Sequence, residues 1–521
     1  MDHKIDRLSV LPEPVMEHIL SFMPLKRTLQ LSILSKRWQK VWTLFPIPEF
    51  NSNFYSSDLS DVFDSYEISD KEKKQKITIK REEREKFNYF VERTLVSRCR
   101  QKLGLNKFNL KILVMHEPDY ILANRWIGYA IECNVKELNL CLKSYFYDTD
   151  EEPDDYQVPK SVLTAKSIVK LKLSGGSLKS CYSDINLSSL RKLVLKRVDM
   201  NDRIFRTLIS GCPVLEEITI RKCYGLKNIH LQSLPRLVAV TLLYSPKLRS
   251  FKLEAPNLKK LLVESTIVTD KWLYDVLSKH PLIESLELRD CSMLKMIKIS
   301  SDHLKSLTIC HCTKLIEVDI ITLNLHRLEY CGDVISFSSN AWTLSEVRLD
   351  FKNYAPLDVK KIEFLAKLNH PKFLAWDAIA KSVIASKELR ETVQSPLYNV
   401  KQLKLKVRNP YNIIELVDAL LWISPLLEIL WIEWWRDVNI CFKFSYEDRI
   451  YKLKNHSCCK LLPILCWRHC LKTVQIENYG GAIEKETLKR YFSKNAEILE
   501  SFQYRRLLRS KTVDNVHMKR F

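Results

Sequence analysis

The stretch Pro213-Val214-Leu215-Glu216-Glu217-Ile218-Thr219-Ile220 decides the fold of this chain. Its apolar residues follow the order apolar-x-x-apolar-x-apolar. Because successive strand side chains point to opposite faces, Ile218 and Ile220 share one face and Thr219 occupies the other. Leu215 lies at the bend into the strand and is expected to pack beneath it. One such strand cannot bury its apolar face alone, so the pattern predicts stacked neighbours that share a continuous core.

The same pattern recurs along the chain. Copies with the same proline offset begin at Pro235, Pro246, Pro256, Pro281 and Pro425, and further copies begin at Val135, Ile168, Leu190, Leu226, Leu294, Leu304, Leu315, Leu325, Leu344, Val400, Leu471 and Leu499. The first apolar residues stand at 215, 226, 237, 248 and 258, and again at 283, 294, 304, 315 and 325, in steps of 10 or 11. A coil of about 21 residues therefore holds two short strands in these regions.

Longer gaps between copies carry apolar stripes of helical period. They predict helices at Asp202–Ser210 and Asp270–Lys279, with further candidates at 86–101, 123–132, 356–368 and 413–422. Cys223, Cys291 and Cys312 each lie three residues after the last apolar strand residue, the Cys/Asn position of the leucine-rich repeat. Metal binding is therefore an unnecessary explanation for these three cysteines. The chain resembles leucine-rich-repeat proteins over roughly residues 105–505.

Residues 6–45 follow a different pattern, which predicts three short helices. Pro12 and Glu13 suit the first turn of a helix with an apolar stripe of Val15, Met16, Ile19 and Leu20. Pro24 separates this helix from a second at about 25–31, and Ser35 is the expected N-cap of a third that carries Trp38, Val41 and Trp42. So small a core leaves large apolar side chains uncovered, which favours a partner surface.

These residues resemble the plant form of the F-box motif. The matching positions are Leu11-Pro12, Ile19-Leu20, Met23-Pro24 and Leu34-Ser35-Lys36-Arg37-Trp38. The resemblance implies binding to a Skp-type adaptor and, through it, to a cullin scaffold. The implied adaptor contacts are Leu11, Pro12, Val15, Ile19, Leu20, Pro24, Leu34 and Trp38; the alternative for each is a place in the module's own core. The family usually has an acidic and a small residue where this chain has residues 26–29, which bears on the strength of adaptor binding.

The C-terminal part resembles the FBD domain of F-box/leucine-rich-repeat proteins. The resemblance is carried by Cys470-Leu471-Lys472-Thr473-Val474-Gln475-Ile476, by Gly480-Gly481 and by residues 488–500. It implies a last coil of strand, helix and strand that caps an open sheet end.

The predicted fold class is an α/β repeat, with a three-helix F-box module followed by a leucine-rich-repeat solenoid. Its strands are parallel, partly two per coil, with interspersed helices. We predict an F-box at 1–50, a flexible linker at 51–84, the solenoid at 85–460, an FBD-like cap at 461–505 and a basic tail at 506–521.

Composition narrows the classes of partner. The net charge of +21 attracts acidic partners, and the scarcity of glycine, 9 residues in 521, argues against Gly-rich nucleotide loops. Basic residues do not interleave with aromatic ones in a known motif, which argues against nucleic acid as a partner. The start of the chain lacks an apolar signal segment and no apolar run is long enough for a membrane span. The 15 cysteines are then expected as reduced thiols in the cytoplasm or nucleus.

Alternation also predicts which residues face a target. The candidates are Lys172, Lys192, Lys196, Arg221, Arg289, Arg348, Lys404 and Trp431, and the alternative is that they are ordinary solvated strand residues. No metal, cofactor or catalytic site is predicted: the cluster from His456 to Cys470 fits no zinc spacing, and Cys310 and Cys312 end a strand. The predicted function is substrate recognition for an SCF-type (Skp–cullin–F-box) ubiquitin ligase. The alternative is a repeat scaffold that binds an acidic protein or nucleic acid without ubiquitination.

Overall fold

The computed structural model divides the chain into two compact units, Met1–Leu258 (unit 1) and Lys259–Phe521 (unit 2). The structure describes residues 10–23, 31, 35–44, 50–51, 82, 85–86, 88–89, 91–97, 99–100, 104–114, 117–144, 156–179, 184–245, 247–265, 267–341, 343–352, 354–368, 370–408, 412–434, 439–447, 466–479 and 485–507. Pro24, Leu34, residues 26–29, most of the predicted linker and nearly all of the predicted basic tail lie outside these ranges.

Two helices of the N-terminal module are described, α1 (Glu13–Ser21) and α2 (Lys36–Leu44). Pro12 precedes α1, and its carbonyl accepts hydrogen bonds from the backbone N–H groups of Val15 (3.0 Å) and Met16 (3.1 Å). Ser35 is an N-cap as predicted, since its Oγ accepts a hydrogen bond from the N–H of Trp38 at 3.2 Å.

In chain order, unit 1 continues with β1 (Phe50–Asn51), β2 (Lys107–Val114), α3 (Glu117–Glu132), β3 (Glu137–Ser144), α4 (Lys160–Thr164), β4 (Lys170–Ser174), β5 (Lys192–Lys196), α5 (Asp202–Ser210), β6 (Glu217–Arg221), β7 (Asn228–Leu231), β8 (Ala239–Leu243) and β9 (Ser250–Leu253). A parallel sheet runs in the order β1-β2-β3-β4-β5-β6-β8. Ile218 lies opposite Leu193 and Val240. Both isoleucines of the opening pattern are buried and Thr219 is half-buried, as alternation predicts.

Unit 2 contains, in order, β10 (Lys260–Glu264), α6 (Asp270–Lys279), β11 (Ser285–Arg289), β12 (Met296–Ser300), β13 (Ser306–Cys310), β14 (Glu317–Ile321), β15 (Arg327–Gly332), β16 (Ser336–Ser339), β17 (Glu346–Phe351), α7 (Val359–Ala366), β18 (Phe373–Ala378), α8 (Lys387–Thr392), β19 (Gln402–Val407), α9 (Ile413–Ile423), β20 (Ile429–Trp434), β21 (Asn439–Tyr446), α10 (Trp467–Cys470), β22 (Leu471–Asn478), α11 (Lys485–Asn495) and β23 (Ser501–Arg506). Its main sheet runs β10-β11-β13-β15-β17-β18-β19-β20-β21-β22-β23.

The prediction of two strands per coil is confirmed in both units. In unit 1, β7 pairs with β9 in a second small sheet. In unit 2, β12, β14 and β16 form a second parallel sheet. The helices at Asp202–Ser210 and Asp270–Lys279 lie where the lengthened spacing predicts them, and each begins at a side-chain cap, Asn201 and Thr269 respectively.

One strand departs from the predicted parallel arrangement. β21 pairs antiparallel with both β20 and β22. A short connection favours this outcome, because parallel neighbours need a long crossover and only four residues separate β20 from β21. Ile440, Phe442 and Phe444 are buried on one face of β21, but Cys441 between the first two is buried as well, so simple alternation does not describe this strand.

The predicted cysteine position has a physical basis in the turn after each strand. The Cys223 thiol donates to the carbonyl of Leu195 (3.6 Å), and the Cys291 thiol donates to that of Val263 (3.7 Å). The residues just before these cysteines, Lys222 and Asp290, have φ of 50° and 49°, so the chain turns inward through the left-handed region. No helix within the described ranges is long and apolar enough to cross a membrane.

Candidate functional site

The N-terminal module presents an apolar surface on and beside α1. Val10 is 65%, Val15 42% and Phe22 75% exposed. Phe22 packs edge-on against His18, with ring centroids 4.8 Å apart. Val10 and Phe22 were missed by motif matching, although both are large apolar residues that flank the apolar stripe. Exposed side chains of this size on so small a module indicate a docking surface.

The predicted adaptor residues divide between this surface and the core. Leu20 and Trp38 are each 1% exposed and form the core with Met16 and Val41. Leu11 and Ile19 are half-buried against that core, whereas Pro12 and Val15 are exposed. A match to the motif therefore identifies a residue of the module, but it does not distinguish a residue on the exposed surface from one that fills the module's core.

The strands of unit 1 carry a basic outer face, by which we mean the sheet face opposite the buried strand residues. Lys172, Val194, Thr219 and Thr241 lie side by side on it in register. Lys196 lies next to Arg221 in a parallel row. Neighbouring strands are about 4.8 Å apart, so these side chains form one continuous surface.

The cations of this face differ in their partners. Lys192 forms an ion pair with Glu217, and Lys170 pairs with Glu137 at 2.6 Å. The hydrogen bond and charge of Glu137 raise the pKa of Lys170. Lys172 and Arg221 are exposed, and neither has an acidic partner among the residues that the structure describes.

The outer face of unit 2 is also charged, and the three predicted target-binding cations on it are paired. Arg289 lies 3.1 Å from Glu287, Arg348 lies 2.8 Å from Glu346, and Lys404 lies 2.8 Å from Glu433. Hydrogen bonds from Arg348 and Arg327 outweigh the effect of burial and lower the pKa of Glu346. These predicted target-binding cations are therefore engaged with carboxylates of their own unit.

Arg408 is a polar centre that the sequence analysis did not find. Its guanidinium donates to Asp377 (3.1 Å), Asp350 (3.3 Å) and the hydroxyl of Tyr354 (2.6 Å). Burial, followed by the charge of Asp377, raises the pKa of Asp350, and Arg408 acts against that shift. The partners lie 31 to 58 residues away in sequence, and the stacking of successive coils brings them together.

Trp431 has a half-buried indole rather than a freely exposed one. It stacks on Tyr479, with ring centroids 6.1 Å apart and planes at 26°. Its neighbour Lys404 stands beside it in register. Trp431 therefore belongs to an aromatic stack at the C-terminal end of the main sheet of unit 2.

The predicted C-terminal order of strand, helix and strand is present as β22, α11 and β23. Asp418 of α9 holds this segment, since it accepts hydrogen bonds from Arg468 (3.0 Å), Tyr491 (2.7 Å) and Arg390 (2.6 Å). Burial and the neighbouring Asp418 raise the pKa of Tyr491, which keeps its hydroxyl a donor. The segment is thereby fixed to α9 by charged hydrogen bonds.

Cysteines of the predicted histidine–cysteine cluster are described only in part. Cys466 and Cys470 are buried, and the Cys470 thiol donates to the Cys466 carbonyl at 3.2 Å. The residues of that cluster between 456 and 459 lie outside the described ranges. Within those ranges, one group has metal-ligand geometry: Cys310, Glu329 and Cys331, whose ligand atoms all lie within 4.8 Å of one another.

Comparison with known proteins agrees with the architecture. The family described as "At1g61320/AtMIF1, LRR domain" matches residues 98–267 and 258–502, and the F-box domain family matches residues 8–50. The similar curated proteins named here come from Arabidopsis thaliana. F-box/LRR-repeat protein At3g58930 is 31% identical over 41% of this chain and 41% of its own length.

Two further relatives cover more of the chain. F-box/LRR-repeat protein At3g58940 is 29% identical over 59% of this chain and 48% of its own length. F-box/FBD/LRR-repeat protein At4g26340 is 28% identical over 54% and 59% respectively. The chain thus spans about half the length of these curated relatives. The leucine-rich-repeat match alone covers more than half of the chain, which therefore belongs to the plant F-box/leucine-rich-repeat family.

Proposed function

We propose that this chain is a non-catalytic substrate receptor, the target-recognition subunit of an SCF-type ubiquitin ligase. The observation that carries the proposal is the exposed apolar surface of a module matched as an F-box, in one chain with leucine-rich repeats. The module docks on a Skp-type adaptor, and through it on a cullin scaffold. The repeats hold the target.

The adaptor surface is centred on Val15. Its side chain is 42% exposed, and burial of apolar surface contributes about 25 cal/mol per Å² of area removed from water. A charge at this position remains solvated in the free module but loses its water in a complex. Leu20, in contrast, fills the core, so its truncation unfolds the module before it reports on docking.

Co-purification with a Skp-type adaptor tests this proposal. Val15→Asp should lower the amount of adaptor recovered by about tenfold or more, because a carboxylate would be buried without a partner. Glu17→Ala changes an exposed residue of the same helix and should leave recovery unchanged. If the wild-type chain recovers no adaptor, or if both variants behave alike, the docking role is wrong.

The target surface proposed is the outer face of unit 1, and its chemistry suits an acidic protein segment. Lys172 and Arg221 are exposed there without carboxylate partners in the described part of the chain. Affinity purification with and without proteasome inhibition should enrich acidic proteins that accumulate when degradation is blocked. Recovery of nucleic acid instead, with a steep salt dependence, would favour the scaffold alternative. If the levels of the bound targets do not change when the proteasome is inhibited, a role in degradation is contradicted.

A further inference from the structure

Cys310 and Cys331 lie directly opposite each other on neighbouring strands of unit 2. β13 and β15 are parallel, and their register pairs Cys310 with Cys331 and Thr308 with Glu329. Glu329 precedes Cys331 by two residues and therefore shares its face of the strand. The two sulfur atoms and a Glu329 carboxylate oxygen all lie within 4.8 Å of one another.

This thiol pair differs from the cysteines that serve the repeat. Cys291 and Cys312 follow their strands and donate to backbone carbonyls of a neighbouring coil, at 3.7 Å and 4.0 Å. Cys310 and Cys331 instead occupy outer-face positions, since their strand neighbours Ile309 and Tyr330 point into the core. They do not occupy the Cys/Asn position of the leucine-rich repeat, so the packing of the repeat does not explain them.

The thiol pair is largely buried but remains partly accessible to solvent. Cys310 is 2% exposed, while Cys331 and Glu329 are half-buried. The contact with Cys331, followed by burial, raises the pKa of the Cys310 thiol. A cation that binds the two thiols displaces their protons.

The chemistry of these ligands favours zinc. Thiolates select soft or borderline ions, and zinc combines thiolate with carboxylate ligands. Bonds of about 2.0–2.3 Å place the ligands of a tetrahedral ion about 3.3–3.8 Å apart. Atoms already within 4.8 Å reach that arrangement through small side-chain rotations.

Asp350 stands next in the same row and supplies an independent observation. Asp350 is on β17 and pairs in register with Cys331 of β15. Its Oδ2 accepts a hydrogen bond from Arg408 at 3.3 Å, but its Oδ1 is buried without a hydrogen-bond partner among the described residues. Arg289 lies beside Cys310 on the other side of the row and, with Arg408, offsets the added negative charge.

We propose that Cys310, Cys331 and Glu329 bind a Zn²⁺ ion, and that Asp350, which lies outside this three-residue group, becomes the fourth ligand after a rotation of its side chain. The ion joins β13, β15 and β17 across the outer face of unit 2. This site is independent of the adaptor and target roles above. Both cysteines enter as thiolates, and their protons leave to solvent when the ion binds.

Metal titration of the full chain tests the site. The reduced protein, stripped with a chelator, should bind one equivalent of Co²⁺ with a thiolate-to-cobalt charge-transfer band, and Zn²⁺ should displace it. Cys331→Ser should reduce that band by at least about half and lower Zn²⁺ affinity by more than about 100-fold, because it removes one of the two thiolate ligands. Glu329→Gln and Asp350→Asn should each keep the band and weaken binding by about tenfold.

A second thiol pair provides the matched control. Cys99 and Cys133 of unit 1 lie with their sulfur atoms 3.0 Å apart, but no three-ligand group includes them in the described part of the chain. Cys99→Ser should leave the cobalt band and the Zn²⁺ affinity unchanged. Circular dichroism and thermal unfolding of each variant check the fold, and Zn²⁺ should raise the Tm of the wild type but not of Cys331→Ser. The proposal would be overturned if the cobalt band were absent, or if Cys99→Ser lost as much Zn²⁺ affinity as Cys331→Ser. A Cys310–Cys331 disulfide that persists under reducing conditions would also overturn it.

Discussion

The outer faces of the two units are built from the same strands-in-register arrangement but present their charges differently. In unit 1, Lys172 and Arg221 are exposed without carboxylate partners among the described residues. In unit 2, Arg289, Arg348 and Lys404 each lie within 3.1 Å of a carboxylate of the same unit. Among the predicted target-binding cations, Lys172 and Arg221 of unit 1 therefore remain available, whereas Arg289, Arg348 and Lys404 of unit 2 are engaged.

The difference teaches that a row of basic residues is not in itself a binding surface. A cation already paired must give up its partner before it binds an acidic ligand, and the exchange contributes little free energy. A solvated, unpaired cation gains a new charge-assisted hydrogen bond. We therefore assign target attraction to unit 1 and internal stabilisation to the paired cations of unit 2.

Removal of the two unpaired cations should have the largest effect on binding. The double substitution Lys172→Ala with Arg221→Ala should lower affinity for a polyglutamate peptide by about 10–100-fold, since each charge-assisted contact contributes about 1 kcal/mol after screening. The matched pair Arg348→Ala with Lys404→Ala should change it by less than about twofold. Fluorescence anisotropy at low and high salt measures both. Equal losses in the two double variants would break the comparison.

For stability, we expect the larger loss from substitution of an arginine in unit 2 and the smaller loss from substitution of one in unit 1. Arg408→Ala removes hydrogen bonds to Asp350, Asp377 and Tyr354 and leaves two half-buried carboxylates close together. We expect the unfolding free energy of unit 2 to fall by about 1–2 kcal/mol, a value reduced for the partial exposure of these groups. Arg221→Ala, an exposed arginine of unit 1, should change stability by less than about 0.5 kcal/mol. Urea unfolding compares the two, and similar losses would contradict the assignment.

The cost of Arg408→Ala should depend on pH. Burial and the charge of Asp377 raise the pKa of Asp350, and Arg408 opposes that shift. A carboxyl group with a raised folded-state pKa destabilises the fold when ionised, and this penalty disappears as pH falls through that pKa. Because the substitution raises the pKa of Asp350 further, its destabilisation should be greatest at neutral pH and smaller in acid. A loss that grows in acid would exclude Asp350 as the cause.

The elements of both units follow from short-range patterns. Leu215, Ile218 and Ile220 define a strand by their spacing alone, and the helix Asp202–Ser210 follows from the gap that interrupts that spacing. The antiparallel β21 does not follow from the repeat, because its pairing is set by the short connection from β20. Local periodicity predicts an element and its buried face, whereas strand direction depends on the connection.

The candidate site was less accessible to sequence reasoning. Alternation places Lys192 on the outer face, yet its partner Glu217 lies 25 residues later and is found only through strand register. Arg408 contacts Asp350, which lies 58 residues earlier in the sequence, and Cys310 lies opposite Cys331 on the neighbouring strand. Aligning the repeat copies one beneath another would have predicted the Lys192 and Cys310 pairings. The Arg408 cluster required the structure, since its hydrogen bonds fan out across several strands.

Removal of a pairing carboxylate should give the smallest effect, and it asks whether unit 2 can be made to resemble unit 1. Glu346 pairs with Arg348 and with Arg327, each at 2.8 Å. Glu346→Ala leaves both cations without this partner, so affinity for the polyglutamate peptide should rise by about two- to threefold at low salt and return toward wild type as screening increases. Glu415→Ala, which removes an exposed carboxylate from helix α9, controls for the change in net charge alone. An equal rise in both variants would mean that net charge, rather than the pairing of individual cations, sets the difference between the two faces.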